Sequence, residues 1–87
     1  MAIDSSPVVR LNHAVAVALA GDVGGGLALL DEIEGLESYR LLHAARADLY
    51  RRLDQRDEAA SSYRRALELT GSDSETRYLE RRLAEVS

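Results

Sequence analysis

The stretch from Leu41 to Leu69, LLHAARADLYRRLDQRDEAASSYRRALEL, decides the fold. It reads as two amphipathic helices on either side of the short break Asp54-Gln55. Small Ala47 and Ala59 allow the two helices to approach closely. Tyr50 and Tyr63 are large enough to fill the space between successive helices. Working outward, helix signals continue in both directions. Ser6-Pro7 pairs a capping hydroxyl with a proline at the first helical position, so a first helix is expected from Pro7 to Ala20, ending at Gly21. Asp22 can cap a second helix reaching Glu34 and stopping at Gly35. A third is expected over Glu37–Leu53 and a fourth from Arg56 through Leu69, stopping at Gly71. Asp57 and Glu58 lie at the positive end of that fourth helix. Ser72 and Glu75 form an S-x-x-E capping box for a fifth, ending near Val86. The connections read as two to four residues long, which implies antiparallel neighbours.

Shifting the chain by 33 positions superposes its two halves. Ala14 meets Ala47, Val17 meets Tyr50, and Ala20 meets Leu53. Leu27 meets Ala60, Leu30 meets Tyr63, and Ile33 meets Ala66. The break Gly21-Asp22 meets Asp54-Gln55. A helix-turn-helix unit of about this period is the signature of tetratricopeptide repeats. The second unit resembles that family through Ala47, Tyr50, Ala59, Tyr63, Ala66, Leu67 and Leu69. His43, Arg46 and Gly71 depart from its usual Trp, Leu and Pro, and Gly26 from its usual alanine. The expectation is an all-α fold of TPR-like repeats, five helices in all, the last a capping helix with Leu79 and Leu83 on its inner face.

Composition agrees with an all-helical reading. Ala and Leu are the commonest residues, and both favour helix. The chain has 87 residues and 46% hydrophobic content, enough for one small domain. A single domain over residues 6–87 is expected, with residues 1–5 a disordered leader. There is no cysteine, which excludes disulfides, thiolate metal sites and cysteine nucleophiles. All 11 basic residues are arginine, against 15 acidic ones, and the net charge is -4. That balance argues against direct nucleic-acid binding. The apolar run Ala14–Ala20 is too short to span a membrane, and the N-terminus does not read as a signal peptide. A cytoplasmic location is expected.

A longer resemblance covers about nine-tenths of the chain. SPVVRLNHAVAVALA (6–20), LALLDEIEGLESYRLLHAARADLYRRL (27–53) and RDEAASSYRRALELTGSDSETRYLERRLAE (56–85) follow one another in order. Together they resemble the C-terminal TPR tail of bacterial extracytoplasmic-function RNA polymerase sigma factors. The run Glu75-Thr76-Arg77-Tyr78-Leu79-Glu80-Arg81-Arg82-Leu83 is the most specific part. The resemblance implies a regulatory, protein-binding segment that modulates transcription initiation. The domains that bind promoter and polymerase would lie upstream and are absent here. The alternative is a stand-alone TPR adaptor that binds a peptide or homodimerises.

Few residues invite chemistry. His13 and His43 are the only histidines and lack the further ligands a metal centre needs. They read as histidines bonded to backbone or carboxylate. Gly24-Gly25-Gly26 has neither the preceding strand nor the following lysine of a phosphate loop. It reads as a frayed helix start or a close packing point, with local looseness. Asp31, Glu32, Glu34 and Glu37 read as solvated surface. No nucleophile–base pair stands out, so neither an enzyme nor a cofactor is expected.

Partner-binding residues are expected on two faces. The family pattern places Leu41, Ala44, Asp48, Arg51 and Arg52 on the inner surface of the repeat, where two arginines could hold an acidic segment. Asp48 can also neutralise both arginines at helical spacing. Arg77, Tyr78, Glu80, Arg81 and Arg82 form a possible docking run on the last helix. Charge is uneven: residues 1–39 sum to -5 and residues 40–87 to +1. The acidic half could face a basic partner. The first helix is apolar nearly all round, with Arg10 its only charge, so burial on two sides is expected. Val8, Leu11 and Val15 are expected to pack against an upstream domain, or to drive homodimerisation of the isolated fragment.

Overall fold

The computed structural model describes residues 6–86. Five helices follow in order: α1 (Pro7–Leu19), α2 (Val23–Asp31), α3 (Arg40–Arg52), α4 (Arg56–Leu69) and α5 (Asp73–Val86). There is no strand among the described residues. The expected leader, residues 1–5, lies outside them. The helices pack chiefly against their sequence neighbours, giving an elongated body of 45 × 28 × 17 Å.

The helix starts follow local chemistry. Ser6 Oγ accepts from the Val9 N–H at 3.3 Å, with Pro7 in the first turn. Asp22 Oδ1 accepts from the Gly25 N–H at 2.9 Å. Ser72 Oγ accepts from the Glu75 N–H at 3.4 Å. That is only half of a capping box, because the Glu75 carboxylate leaves its own helix to meet Arg40 and Thr70 instead.

Two helix ends share one geometry. After α1 the Asp22 N–H reaches back to the Val17 carbonyl at 3.2 Å, and Gly21 takes a φ of 115°. After α3 the Gln55 N–H reaches the Tyr50 carbonyl at 2.9 Å, and Asp54 takes a φ of 61°. Both turns close by the same backward bond, and both need a left-handed residue. Glycine meets that need freely, whereas aspartate adopts it under strain.

Two boundaries correct the sequence reading. α2 stops at Asp31, not Glu34, because Glu32 and Ile33 donate to carbonyls only three residues back, tightening the last turn. α3 starts at Arg40, not Glu37, because Tyr39 N–H closes a turn onto the Leu36 carbonyl. Residues 32–39 therefore form a longer connection than the short ones expected. It is held by Ile33 and Leu36, which are buried in the core. α4 runs from Arg56 to Leu69, as expected. Thr70 takes an extended conformation there, and the chain leaves the helix directly.

The core has two parts. Leu11, Ala14, Ala18, Leu27, Leu30, Ile33, Leu36, Leu42 and Leu49 form one, around α1, α2 and one face of α3. Ala47, Ala59, Ala60, Tyr63, Ala66, Leu79 and Val86 form the other, between α3, α4 and α5. Tyr50 packs against both and joins them. The positions paired by the 33-residue shift share their burial. Ala14 and Ala47 are fully buried, as are Leu30 and Tyr63, while Ala20 and Leu53 are both exposed.

Gly26 explains the close contact of α1 and α2. A Cβ there would sit 2.8 Å from both the Ala14 carbonyl oxygen and the Ala18 Cβ. The glycine run is therefore a close packing point at its third member. Gly24, by contrast, faces open space.

α1 buries only one side. Leu11, Ala14 and Ala18 face the core, while Val8, Val9 and Leu19 are exposed. Leu11 is 4% exposed, so it does not belong to the outward surface the sequence suggested. At its point in the helical rotation it faces α2 and α3. Val15 packs partly against the same core. The outward apolar side is carried by Val8, Val9 and Leu19.

Candidate partner-binding groove

Two of the expected surfaces meet in one place. A groove of about 340 Å³ is lined by Leu11, Asn12, Val15, Leu41, Ala44, Ala45, Asp48, Tyr63 and Tyr78. Residues from α1, α3, α4 and α5 contribute to it. Of the residues anticipated for partner binding, Leu41, Ala44, Asp48 and Tyr78 line it. Leu11 and Val15, expected to face outward, form its α1 wall. Arg51 and Arg52 follow Asp48 on α3, and Arg82 follows Tyr78 on α5. Arg77, Glu80 and Arg81 are exposed and do not line it.

Two polar residues of the lining, Asp48 and Tyr78, are held by arginines that do not themselves line the groove. Arg51 Nη2 donates to Asp48 Oδ1 at 2.5 Å, and Arg52 Nε donates to Asp48 Oδ2 at 3.1 Å. One carboxylate thus serves two guanidinium groups. Burial pushes the Asp48 carboxyl up, but the hydrogen bonds and charges of Arg51 and Arg52 outweigh it and hold Asp48 below its usual range. The Asp48 hydrogen bond in turn holds Arg51 more firmly protonated. On α5, Arg82 donates to the Tyr78 hydroxyl at 3.3 Å and to Glu85 at 3.0 Å. Its guanidinium carbon lies 5.5 Å from the centre of the Tyr78 ring, a cation–π distance.

Tyr63 was expected only as a space-filler. It is 1% exposed, and burial pushes its hydroxyl above its ordinary pKa of 10.0. Arg51 lies beside it, yet neither the Tyr63 hydroxyl nor Arg51 Nε makes a hydrogen bond of good geometry. Sequence periodicity identifies Tyr63 as core but says nothing of its hydroxyl. A buried phenol facing an arginine on the preceding helix is the one signal that could have marked it.

The histidines are apart from this groove chemically. His43 Nε2 pairs with the Glu37 carbonyl at 2.8 Å, as expected of a backbone-bonded histidine. His13 is exposed. Among the described residues, no three carboxylate or histidine groups are grouped as a cation would require. Arg46 pairs with Asp31 at 3.1 Å and ties α3 to the end of α2. No helix among the described residues is long and apolar enough to cross a membrane.

No family model matches the chain, and no solved structure matches it. It is similar to an uncharacterized protein of Rhizobium meliloti (strain 1021), with 35% identity over 79 residues. The match covers 90% of this chain but only 19% of that protein. The chain therefore spans about a fifth of the relative's length.

Proposed function

We propose that this chain is the C-terminal regulatory, protein-binding segment of an extracytoplasmic-function sigma factor, and that it is built from TPR-like repeats. In this reading it is cytoplasmic and has no enzymatic role. It modulates transcription initiation through contacts with its own sigma domains, RNA polymerase or a regulator. The observation that carries the proposal is the resemblance of the run Glu75–Leu83 to that tail. The run is specific because a capping helix needs only an apolar inner face, and Leu79 and Leu83 already supply one. The much greater length of the similar Rhizobium protein supports a segment that works inside a longer chain. The apolar outer side of α1, with Val8, Val9 and Leu19 exposed, supports an upstream partner on that face. The matched burial at positions 33 apart supports the repeat assignment.

The test is the size of the native product, read by immunoblot with an antibody to this segment. A species several times heavier than 9.5 kDa is expected. A species of 9.5 kDa would remove the transcription reading. The groove between α1, α3 and α5 favours the second reading in that event: a free-standing adaptor that binds a peptide or pairs with itself.

A further inference from the structure

The last helix is held unevenly along its length. α5 packs chiefly against α4. In its first turn the Glu75 carboxylate accepts from Arg40 on α3 and from Thr70, the latter at 3.0 Å. Among the described residues this is the ion pair that joins α5 to α3. Further along, like charges face each other. Arg51 is held protonated chiefly by Asp48, and Arg82 of α5 stands near enough to work against that charge. The hydrogen bonds of Arg82 go to Tyr78 and Glu85, both on α5 itself, and give no tie to α3.

The seat of α5 is shallow. The second core is lined from α3 and α4 by Tyr63 and four alanines, Ala47, Ala59, Ala60 and Ala66. Its buried aliphatic side chains larger than alanine, Leu79 and Val86, both come from α5. These two anchors, the partly buried Leu83 and one partly exposed ion pair therefore hold a helix of 14 residues. The link to it is open in shape. Thr70 is extended, only Gly71 and Ser72 follow before α5 begins, and a Cβ at Gly71 would meet nothing within 4 Å.

We propose that α5 is a hinged lid, which leaves the body as one unit about residues 70–72 and is latched by the Glu75–Arg40 pair. Closed, it covers the second core, and its Tyr78 forms part of the groove lining. Open, it uncovers Tyr63 and the alanines and takes Tyr78 out of the groove. The latch thus controls the groove although neither latch residue lines it. Any ligand that prefers one position of α5 shifts the population toward it. The lid rests on the fold alone, so it stands or falls apart from the reading of the chain as a sigma-factor tail. Its signature differs from that of a fraying end. A 14-residue helix released from its seat is marginal in water, so undocking exposes all its amides together, whereas fraying releases those near Val86 first.

Hydrogen–deuterium exchange of the full chain, followed amide by amide by NMR, tests the lid. The amides of Arg77–Glu85 are expected to share one level of protection, about ten-fold or more below that of the best protected amides of α3 and α4. Glu75→Gln should lower that shared level by about two- to five-fold, the range for a partly exposed ion pair. Gly26→Ala loosens the opposite end of the molecule, where α1 meets α2. It should lower protection there and leave α5 unchanged, because the lid opens while α1 and α2 stay packed. Protection that declines steadily from Arg77 to Val86 would mean fraying and would overturn the proposal. So would α5 protection equal to that of α3 and α4, or α5 protection that falls with Gly26→Ala, since the helix would then open only as the whole chain unfolds. An α5 level unmoved by Glu75→Gln would overturn the latch.

Discussion

Arg40, the first residue of α3, donates its Nε hydrogen to the Glu75 carboxylate on α5, across 35 residues of sequence. Thr70 also donates to Glu75, at 3.0 Å. Glu75 thereby fastens the capping helix to the body of the fold. The Arg40 hydrogen bond is the main reason its carboxyl lies below the ordinary 4.5; burial opposes it, and the Thr70 hydrogen bond and the Arg40 charge add to the lowering. Asp48 is also lowered, since Arg51 and Arg52 outweigh its burial. A lowered carboxyl adds stability that is full above its unfolded value and is lost as pH falls through its folded value. Thermal stability should therefore hold level from pH 7 to about 5 and fall below about 4.5. Glu75→Gln should cost about 0.5–1 kcal/mol at pH 7, the pair being half-exposed, and should make the acid fall shallower. Melting curves across this range check it. A variant profile parallel to the native one would remove Glu75 from the account.

The glycines of α2 have opposite roles, and substitution should separate them. Gly24 faces open space in a helical conformation, so Gly24→Ala should stabilise by about 0.5–1 kcal/mol through helix propensity alone. Gly26→Ala places a methyl 2.8 Å from a backbone carbonyl of α1. The two helices must then separate, at a cost of about 1–3 kcal/mol. Urea denaturation of the two variants should move the midpoint in opposite directions. Two variants of equal stability would mean that α1 and α2 are not in close contact at Gly26.

What the sequence made legible, and what it hid, follows from how local each cause is. Ser6, Asp22 and Ser72 were readable as caps because a short side chain needs only the next turn of backbone. The burial of Leu30 and Tyr63, 33 positions apart, was readable because each is a large apolar or aromatic residue at a helical spacing from other core positions. The connection over residues 32–39 was not readable. Its helix-favouring composition is overridden by Leu36, which turns inward to the core. Leu11 was misplaced because an all-apolar helix does not reveal which side meets its neighbours. The groove was only half legible. Leu41, Ala44, Asp48 and Tyr78 could be assigned to faces, but the α1 wall and the Tyr63 hydroxyl depend on how distant helices meet.

Asp54 holds a left-handed conformation after α3, as Gly21 does after α1. Its side chain is 90% exposed and reaches Arg56 only at 3.7 Å, a contact of negligible value. Asp54→Gly should therefore relieve backbone strain, with little lost elsewhere. The expected gain is about 0.5–1 kcal/mol, reduced from the full left-handed penalty by the extra freedom glycine brings to the unfolded chain. A melting temperature higher by a few degrees would support the equivalence of the two turns. A lower one would mean that the Asp54 carboxylate makes a contact worth more than its exposure suggests.

The outer side of α1 and its inner side should respond differently to charge. Val9 is 56% exposed and Leu19 63% exposed, on a helix whose opposite side is core. If the isolated chain pairs with itself through this surface, Val9→Glu with Leu19→Glu should give a monomer and leave helicity unchanged. Each buried apolar side chain lost from a pairing surface removes about 1.5–3 kcal/mol, so the double variant shifts the equilibrium strongly. Leu11→Glu is a different experiment. It places a carboxylate in the core beside Ala14 and Leu42, and should unfold the α1–α2 pair without reporting on association. Sedimentation at several concentrations, with circular dichroism on the same samples, separates these outcomes. A native chain that stays strictly monomeric at high concentration would leave α1 to an upstream domain as its only proposed cover.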